Sequence, residues 1–177
     1  MHGLITPLPE PYKEKVYQLW EDFQKEHHLN GVFTTPIPHF TWHVDAQYRP
    51  ELVPSLADFF ANNVPPTITT DGLGIFCGEH PIIFINLLVT EELLRYHSQL
   101  FTLLQPFSAK SNAYYEPGKW HPHITLALGD TNPSLAGTII KSVSDIDFNW
   151  TFECSALTLI QQNPQSLQYE VYQDFTR

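Results

Sequence analysis

The sequence predicts an α+β fold of two similar lobes related by a pseudo-two-fold axis. Three observations predict it. Apolar residues recur at helical spacing in several windows, and short alternating or unbroken apolar runs lie between those windows. The pattern Pro-His-apolar-Thr-apolar stands twice, at Pro38-His39-Phe40-Thr41-Trp42 and at Pro122-His123-Ile124-Thr125-Leu126, roughly half the chain apart. A predicted helix precedes each copy and another follows about ten residues later, so the echo reads as an internal duplication.

Residues 2–8, HGLITPL, suit a first strand. Pro9 to Leu29 then reads as a helix, with Val16, Leu19, Trp20 and Phe23 on one face and Glu and Lys on the other. Asn30-Gly31 is the expected stop, because both residues tolerate the left-handed conformation that ends helices. His27-His28, beside that stop, is read as a solvated or capping pair. Pro36 and Pro38 hold an extended segment before HFTWHV, which alternates as a strand does. A second helix runs from Arg49-Pro50 to about Asn63 on a stripe of Leu52, Leu56, Phe59 and Phe60, and Pro65-Pro66 ends it.

Thr67 to Gly74, rich in Thr and Gly, leads into Ile75-Phe76-Cys77. With the run PIIFINLLV, that segment predicts a hairpin around Gly78 to Pro81. Thr90-Glu91-Glu92 opens a helix that Leu93, Leu94, Leu100, Leu103 and Leu104 carry to about Phe107. Ser108 to Lys119 is a polar loop, HITLAL a strand, and Pro133 to Val143 a helix with proline in its first turn. Two strands close the chain, about Phe152 to Gln161 and Leu167 to Phe175, around the turn Gln162-Asn163-Pro164. No long linker interrupts the 177 residues, so one bilobal domain over 1–177 is expected.

Composition narrows the function. Apolar residues make up 42% and aromatic residues 14%, enough for a core with rings left to line a cleft. The net charge of −10 argues against broad binding of duplex DNA or an anionic membrane, since both need a basic face. A local phosphate pocket is compatible with it. Cys77 and Cys154 match no CxxC motif and are too few for a disulfide scaffold, so both are expected as buried free thiols. Met1 to Glu10 has no signal-peptide pattern, and the longest strongly apolar run, Pro81 to Val89, is about half a membrane span. The chain is therefore expected to be a soluble cytoplasmic protein; a monomer is the working expectation, although no motif bears on oligomeric state.

In a strand, residues i and i+2 face one side. His39 and Thr41 would share a space while Phe40 and Trp42 pack behind, and His123 and Thr125 would do the same ahead of Ile124 and Leu126. A pseudo-two-fold axis would set the two pairs across one groove. Two imidazoles and two hydroxyls suit phosphoester chemistry. One ring takes a proton from the nucleophile, the other gives one to the leaving oxygen, and the hydroxyls donate to the non-bridging oxygens. An imidazole titrates near pH ~6.5, so neutral and charged rings coexist at working pH.

The run WHPHITLALG around His123, with PHFTW around His39, closely resembles the two histidine motifs of the 2H phosphoesterase superfamily. Each of those motifs reads His-x-Thr/Ser-x, with x usually apolar. The nearest group is the 2'-5' RNA ligase and cyclic phosphodiesterase branch. The resemblance implies α+β lobes whose antiparallel sheets line a central cleft, with helices outside. It implies no metal or other cofactor, and attack on 2',3'-cyclic phosphates or related nucleotide and RNA-end phosphodiesters, with 2'-5' RNA ligation as the related reaction. Carried over residue by residue, His39 and His123 are the acid-base pair and Thr41 and Thr125 hold the phosphate. The acidic balance favours a small nucleotide or a short RNA end over a long RNA body.

Four further residues are candidates for substrate contact. Tyr115 and Trp120, with Tyr114, lie in the loop expected to overhang the cleft, and a ring face accepts any base. Lys119 is a candidate for the phosphate. His43, two residues beyond Thr41, would share its face at the rim. Two other readings stand beside this one. A zinc-dependent hydrolase would use His121, His123 and His39 as ligands, although no HExxH is present. A nucleotide-binding module of the same fold would bind without turnover.

Overall fold

The computed structural model describes residues 1–177. Four α-helices are present: α1 (Tyr12–His27), α2 (Leu52–Asn62), α3 (Glu91–Leu104) and α4 (Pro133–Ser142). The strands are β1 (His2–Pro7), β2 (His39–Asp45), β3 (Ile68–Phe76), β4 (Ile82–Leu87), β5 (His123–Ala127), β6 (Thr151–Phe152), β7 (Ala156–Gln162) and β8 (Tyr169–Thr176). They form one antiparallel run in the order β6-β3-β4-β5-β2-β1-β7-β8. The α+β class and antiparallel sheet expected from the sequence are observed.

The two motif strands, β2 and β5, lie side by side at the centre of this run. They meet through a single residue pair, Phe40 opposite Ile124. Outward from that seam, β5-β4-β3-β6 corresponds to β2-β1-β7-β8. Each half sends one strand across, so β3 pairs with β4 and β7 with β1. The first helices cross too: α1 packs on β5, and α3 packs on β2.

The helices form where the apolar spacing says. Val16, Trp20 and Phe23 bury one face of α1; Leu52, Leu56 and Phe60 do so for α2. Thr90 caps α3 by accepting from the Leu93 amide at 3.1 Å. Asn132 caps α4 by accepting from the Leu135 amide at 3.0 Å, with Pro133 in the first turn. These faces close over Phe40, Trp42, Ile124 and Leu126 in one core. No helix is long and apolar enough to cross a membrane.

Several boundaries differ from expectation. Helix α1 ends on His28, which itself takes the left-handed conformation at φ 60°. Gly31 serves a different need: a Cβ there would stand 1.7 Å from the Leu128 carbonyl oxygen, so glycine lets the chain pass β5. The Thr- and Gly-rich stretch after Thr67 is strand, not lead-in. Gly72 sits at φ 67° beside a register shift between Thr70 and Leu73, so the glycine marks a bulge inside β3. The strand expected over Phe152 to Gln161 is two strands, because Phe152 pairs with Ile68 in one half and Leu159 pairs with Leu4 in the other. Cys154 is buried as expected, but Cys77 is exposed, beyond the end of β3 at the hairpin tip.

Candidate active site

Phe40 lies opposite Ile124, so strict alternation sets His39 across from Thr125 and Thr41 across from His123. All four side chains face one side of the sheet and are half-buried. Phe40, Trp42 and Ile124 face the other side and are fully buried. The histidines are therefore diagonal neighbours across the seam, a relation that places Cβ atoms about 7–8 Å apart or somewhat less.

The two imidazoles are held alike. His39 Nδ1 bonds the Ile37 carbonyl at 2.5 Å, and His123 Nδ1 bonds the His121 carbonyl at 2.7 Å. A carbonyl only accepts, so Nδ1 carries the hydrogen in each ring. Nε2 is left as the basic nitrogen of each neutral imidazole. Burial pushes His39 down to about 4, with the Ile37 carbonyl opposing and the His123 charge adding. Burial also lowers His123, with the His121 carbonyl opposing and His121 adding.

Beside His123 stands an aromatic wall. The Phe76 and Phe84 rings lie 5.2 and 4.9 Å from its imidazole, and Phe76 is 37% exposed. Asn86 is paired with His123 across the strands, and its Oδ1 meets His121 Nε2 at 3.2 Å. These three residues were missed in the sequence. Phe76, Phe84 and Asn86 lie on a hairpin whose register only the pairing reveals. Tyr115 is half-buried in a 3-10 turn at Ala113–Tyr115, its ring 6.4 Å from that of His43.

The other expected substrate contacts lie elsewhere. Trp120 is buried with both faces covered, stacked 3.9 Å from His97 and 5.4 Å from Trp42, so no base can stack on it. His43 is 1% exposed; its Nδ1 pairs with the Tyr48 hydroxyl at 2.6 Å and its Nε2 with Ser111 Oγ at 2.8 Å. The cause is a register shift. Thr41 pairs with Ile5 but His43 pairs with Leu4, so the extra residue Trp42 breaks the alternation and turns His43 off the site face. Lys119 points to solvent and binds Glu116 at 2.6 Å. Tyr114 is exposed. No three His, Cys, Asp or Glu side chains converge as metal ligands, so His39, His121 and His123 do not form the zinc set.

Two His-x-Thr strands seated edge to edge in a duplicated α+β sheet define the 2H phosphoesterase class. The model of the 2'-5' RNA ligase superfamily matches residues 9–165, and the chain belongs to that superfamily. No curated protein matches the chain by sequence. Among solved structures it is similar to TT0787 of Thermus thermophilus, with TM-score 0.64, 16% identity, and 99% and 96% of the two chains covered. It is similar to E. coli LigT complexed with 3'-AMP, with TM-score 0.58, 15% identity and 99% and 96% covered. Kluyveromyces marxianus Usb1 is a third, with TM-score 0.54, 10% identity and 99% and 97% covered.

Proposed function

We propose that this chain is a metal-independent phosphodiesterase that opens 2',3'-cyclic phosphates or related nucleotide and RNA-end phosphodiesters. The observation that carries this reading is the pair of Nδ1-anchored imidazoles on one face of the seam with the two threonines. His39 Nε2 takes a proton from water as the water oxygen bonds to phosphorus. The bond from phosphorus to the ribose oxygen breaks, and His123 Nε2 gives its proton to that oxygen. Thr41 and Thr125 donate to the non-bridging oxygens, where negative charge builds. Ligation of a 2'-5' bond is the same chemistry with a hydroxyl in place of water.

Burial lowers both rings, and His39, pushed down to about 4, is assigned here as the base. The phosphate's own charge raises His123 when substrate is bound and favours its acid form. Phe76 supports a ribose or base beside His123. E. coli LigT has been crystallised with 3'-AMP, ATP and NADP+, which supports a small nucleotide ligand here. The net charge of −10 supports the same size class.

The test is hydrolysis of a panel running from 2',3'-cyclic mononucleotides to RNA ends, with and without EDTA. Turnover that survives EDTA is expected. Turnover abolished by EDTA would replace the mechanism with a metal-assisted one. Binding of a cyclic nucleotide with no turnover by any panel member would make the chain a binding module.

A further inference from the structure

We propose that Trp20 and Trp120 are positioning residues, each setting the His-x-Thr strand of the other half through its indole N–H. The inference rests on the proposed roles of the two motifs. Trp20, on α1 of the first half, donates to the Thr125 carbonyl at 3.0 Å. Trp120, just ahead of β5 in the second half, donates to the Thr41 carbonyl at 2.9 Å. The two acceptors are counterparts in the repeated motif, while the donors come from different places, a helix in one half and the segment ahead of β5 in the other; both bonds cross the seam.

The seam needs such a device. Only Phe40 and Ile124 pair across β2 and β5, so the ladder does little to hold the two strands in mutual register. Buried carbonyls beyond that pair still require donors. An indole N–H donates and never accepts, so at a buried site it has one partner available. Trp20 is 2% exposed and Trp120 is 7% exposed. Neither ring can turn away. Trp120 is sandwiched between His97 and Trp42, with 5° and 19° between planes. Trp20 is flanked by Tyr17 and Phe33, with centroids 6.1 and 5.9 Å away.

Two carboxylates repeat the crossed pattern one step further out. Asp45, ending β2, accepts from the Ala109 and Lys110 amides at 3.1 and 3.0 Å, in the segment ahead of β5. Asp130, beyond β5, accepts from the Asn30 and Gly31 amides at 2.5 and 2.8 Å, in the segment ahead of β2. Each motif strand is thus gripped by elements of the opposite half. The peptide carbonyls that the indoles hold belong to the two threonines themselves. A tilt of either peptide moves that threonine and the histidine two residues before it on the same strand.

The experiment replaces Trp20 or Trp120, in the full chain, with 3-benzothienylalanine. Sulfur then stands where the N–H was, and ring size and stacking are kept. The expected result is a loss of about three- to thirtyfold, mainly in kcat, on the best cyclic nucleotide. The second expectation is crossed: substitution at 20 moves the His123 imidazole NMR titration and spares His39, while substitution at 120 moves His39 and spares His123. Trp20→Phe and Trp120→Phe give the second measurement, with crossed shifts at least as large. Equal movement of both histidines in either variant, or no movement and an unchanged kcat, overturns the proposal. If the wild-type chain hydrolyses no cyclic phosphate, the proposed function fails, and the crossed titrations still decide whether the indoles position these strands.

Discussion

At the scale of single residues, the proposed mechanism asks two hydroxyls to hold one phosphate and two rings to move one pair of protons. His39→Ala and His123→Ala are each expected to lower kcat by at least about 10²-fold, the lower end for one proton transfer. The double variant should lose little more than the worse single one, because both rings serve one transition state. Thr41→Val and Thr125→Val keep the β-branched shape and remove the hydroxyl, and each is expected to cost roughly 10–10³-fold. Steady-state rates on the best cyclic nucleotide check all four. His121→Ala should be milder, since its Nε2 meets Asn86 and only its carbonyl holds His123. The pH profile tests the roles. Both rings are lowered by burial, so the bell in kcat/KM should have its optimum on the acid side of 6.5. A sulfur leaving group needs no proton. It should rescue His123→Ala and leave His39→Ala impaired, and rescue of the opposite variant would reverse the assignment.

At the scale of elements, what matters is how loops are tied to the motif strands. Asp45 is 1% exposed and accepts from Ser108 Oγ and from the Gln47, Ala109 and Lys110 amides. Those bonds hold its carboxyl below the usual range against the cost of burial. Asp45→Ala strands three donors, since the Ala109 amide keeps the Gln47 carbonyl at 3.0 Å, and is expected to destabilise the chain by about 2–4 kcal/mol, read from urea unfolding. It should also loosen the loop that carries Tyr115, so amide exchange at Ala109 and Lys110 should rise and KM should suffer more than kcat. Unchanged exchange there would separate Asp45 from the loop. Gly31→Ala is expected to cost more than about 2 kcal/mol, because its Cβ would collide with the Leu128 carbonyl, a backbone atom that cannot swing aside. These ties were not legible beforehand. Ser108 to Lys119 is polar and irregular, and nothing in its composition says that a carboxylate on β2 organises it. The four helices were legible because each carries its own stripe at helical spacing, and Thr90 announces its helix start by its own chemistry.

At the scale of the whole molecule, the buried histidines govern acid stability. His43 and His97 are each 1% exposed and pushed down to about 4, chiefly by burial, from an ordinary value of 6.5. Between those values the unfolded chain binds protons that the folded chain refuses. Stability is therefore complete above about 6.5 and is lost as pH falls toward 4, by on the order of 1–3 kcal/mol per ring at full effect. Asp45, lowered when folded, adds a loss of the same sign at still lower pH. Urea unfolding should show lower stability at pH 5 than at pH 7, and equal stability would mean that these rings charge freely in the folded state.

The sequence by itself determined the α+β class and the duplication, and it singled out His39, Thr41, His123 and Thr125 as the proposed catalytic set. Those features are local: a two-residue alternation or a 3.6-residue stripe is written in neighbouring side chains and needs no partner to be read. Tertiary structure decided what depends on pairing. The register shift that sends His43 into the core, the hairpin that brings Phe76 and Asn86 beside His123, and the stacking that takes Trp120 from the cleft all depend on contacts between distant segments. A strand slipped by one residue shows the opposite face, and no local pattern records which register its neighbour imposes. The crossed grip of each half on the other's motif is of the same kind: it exists only once β2 and β5 meet at Phe40 and Ile124.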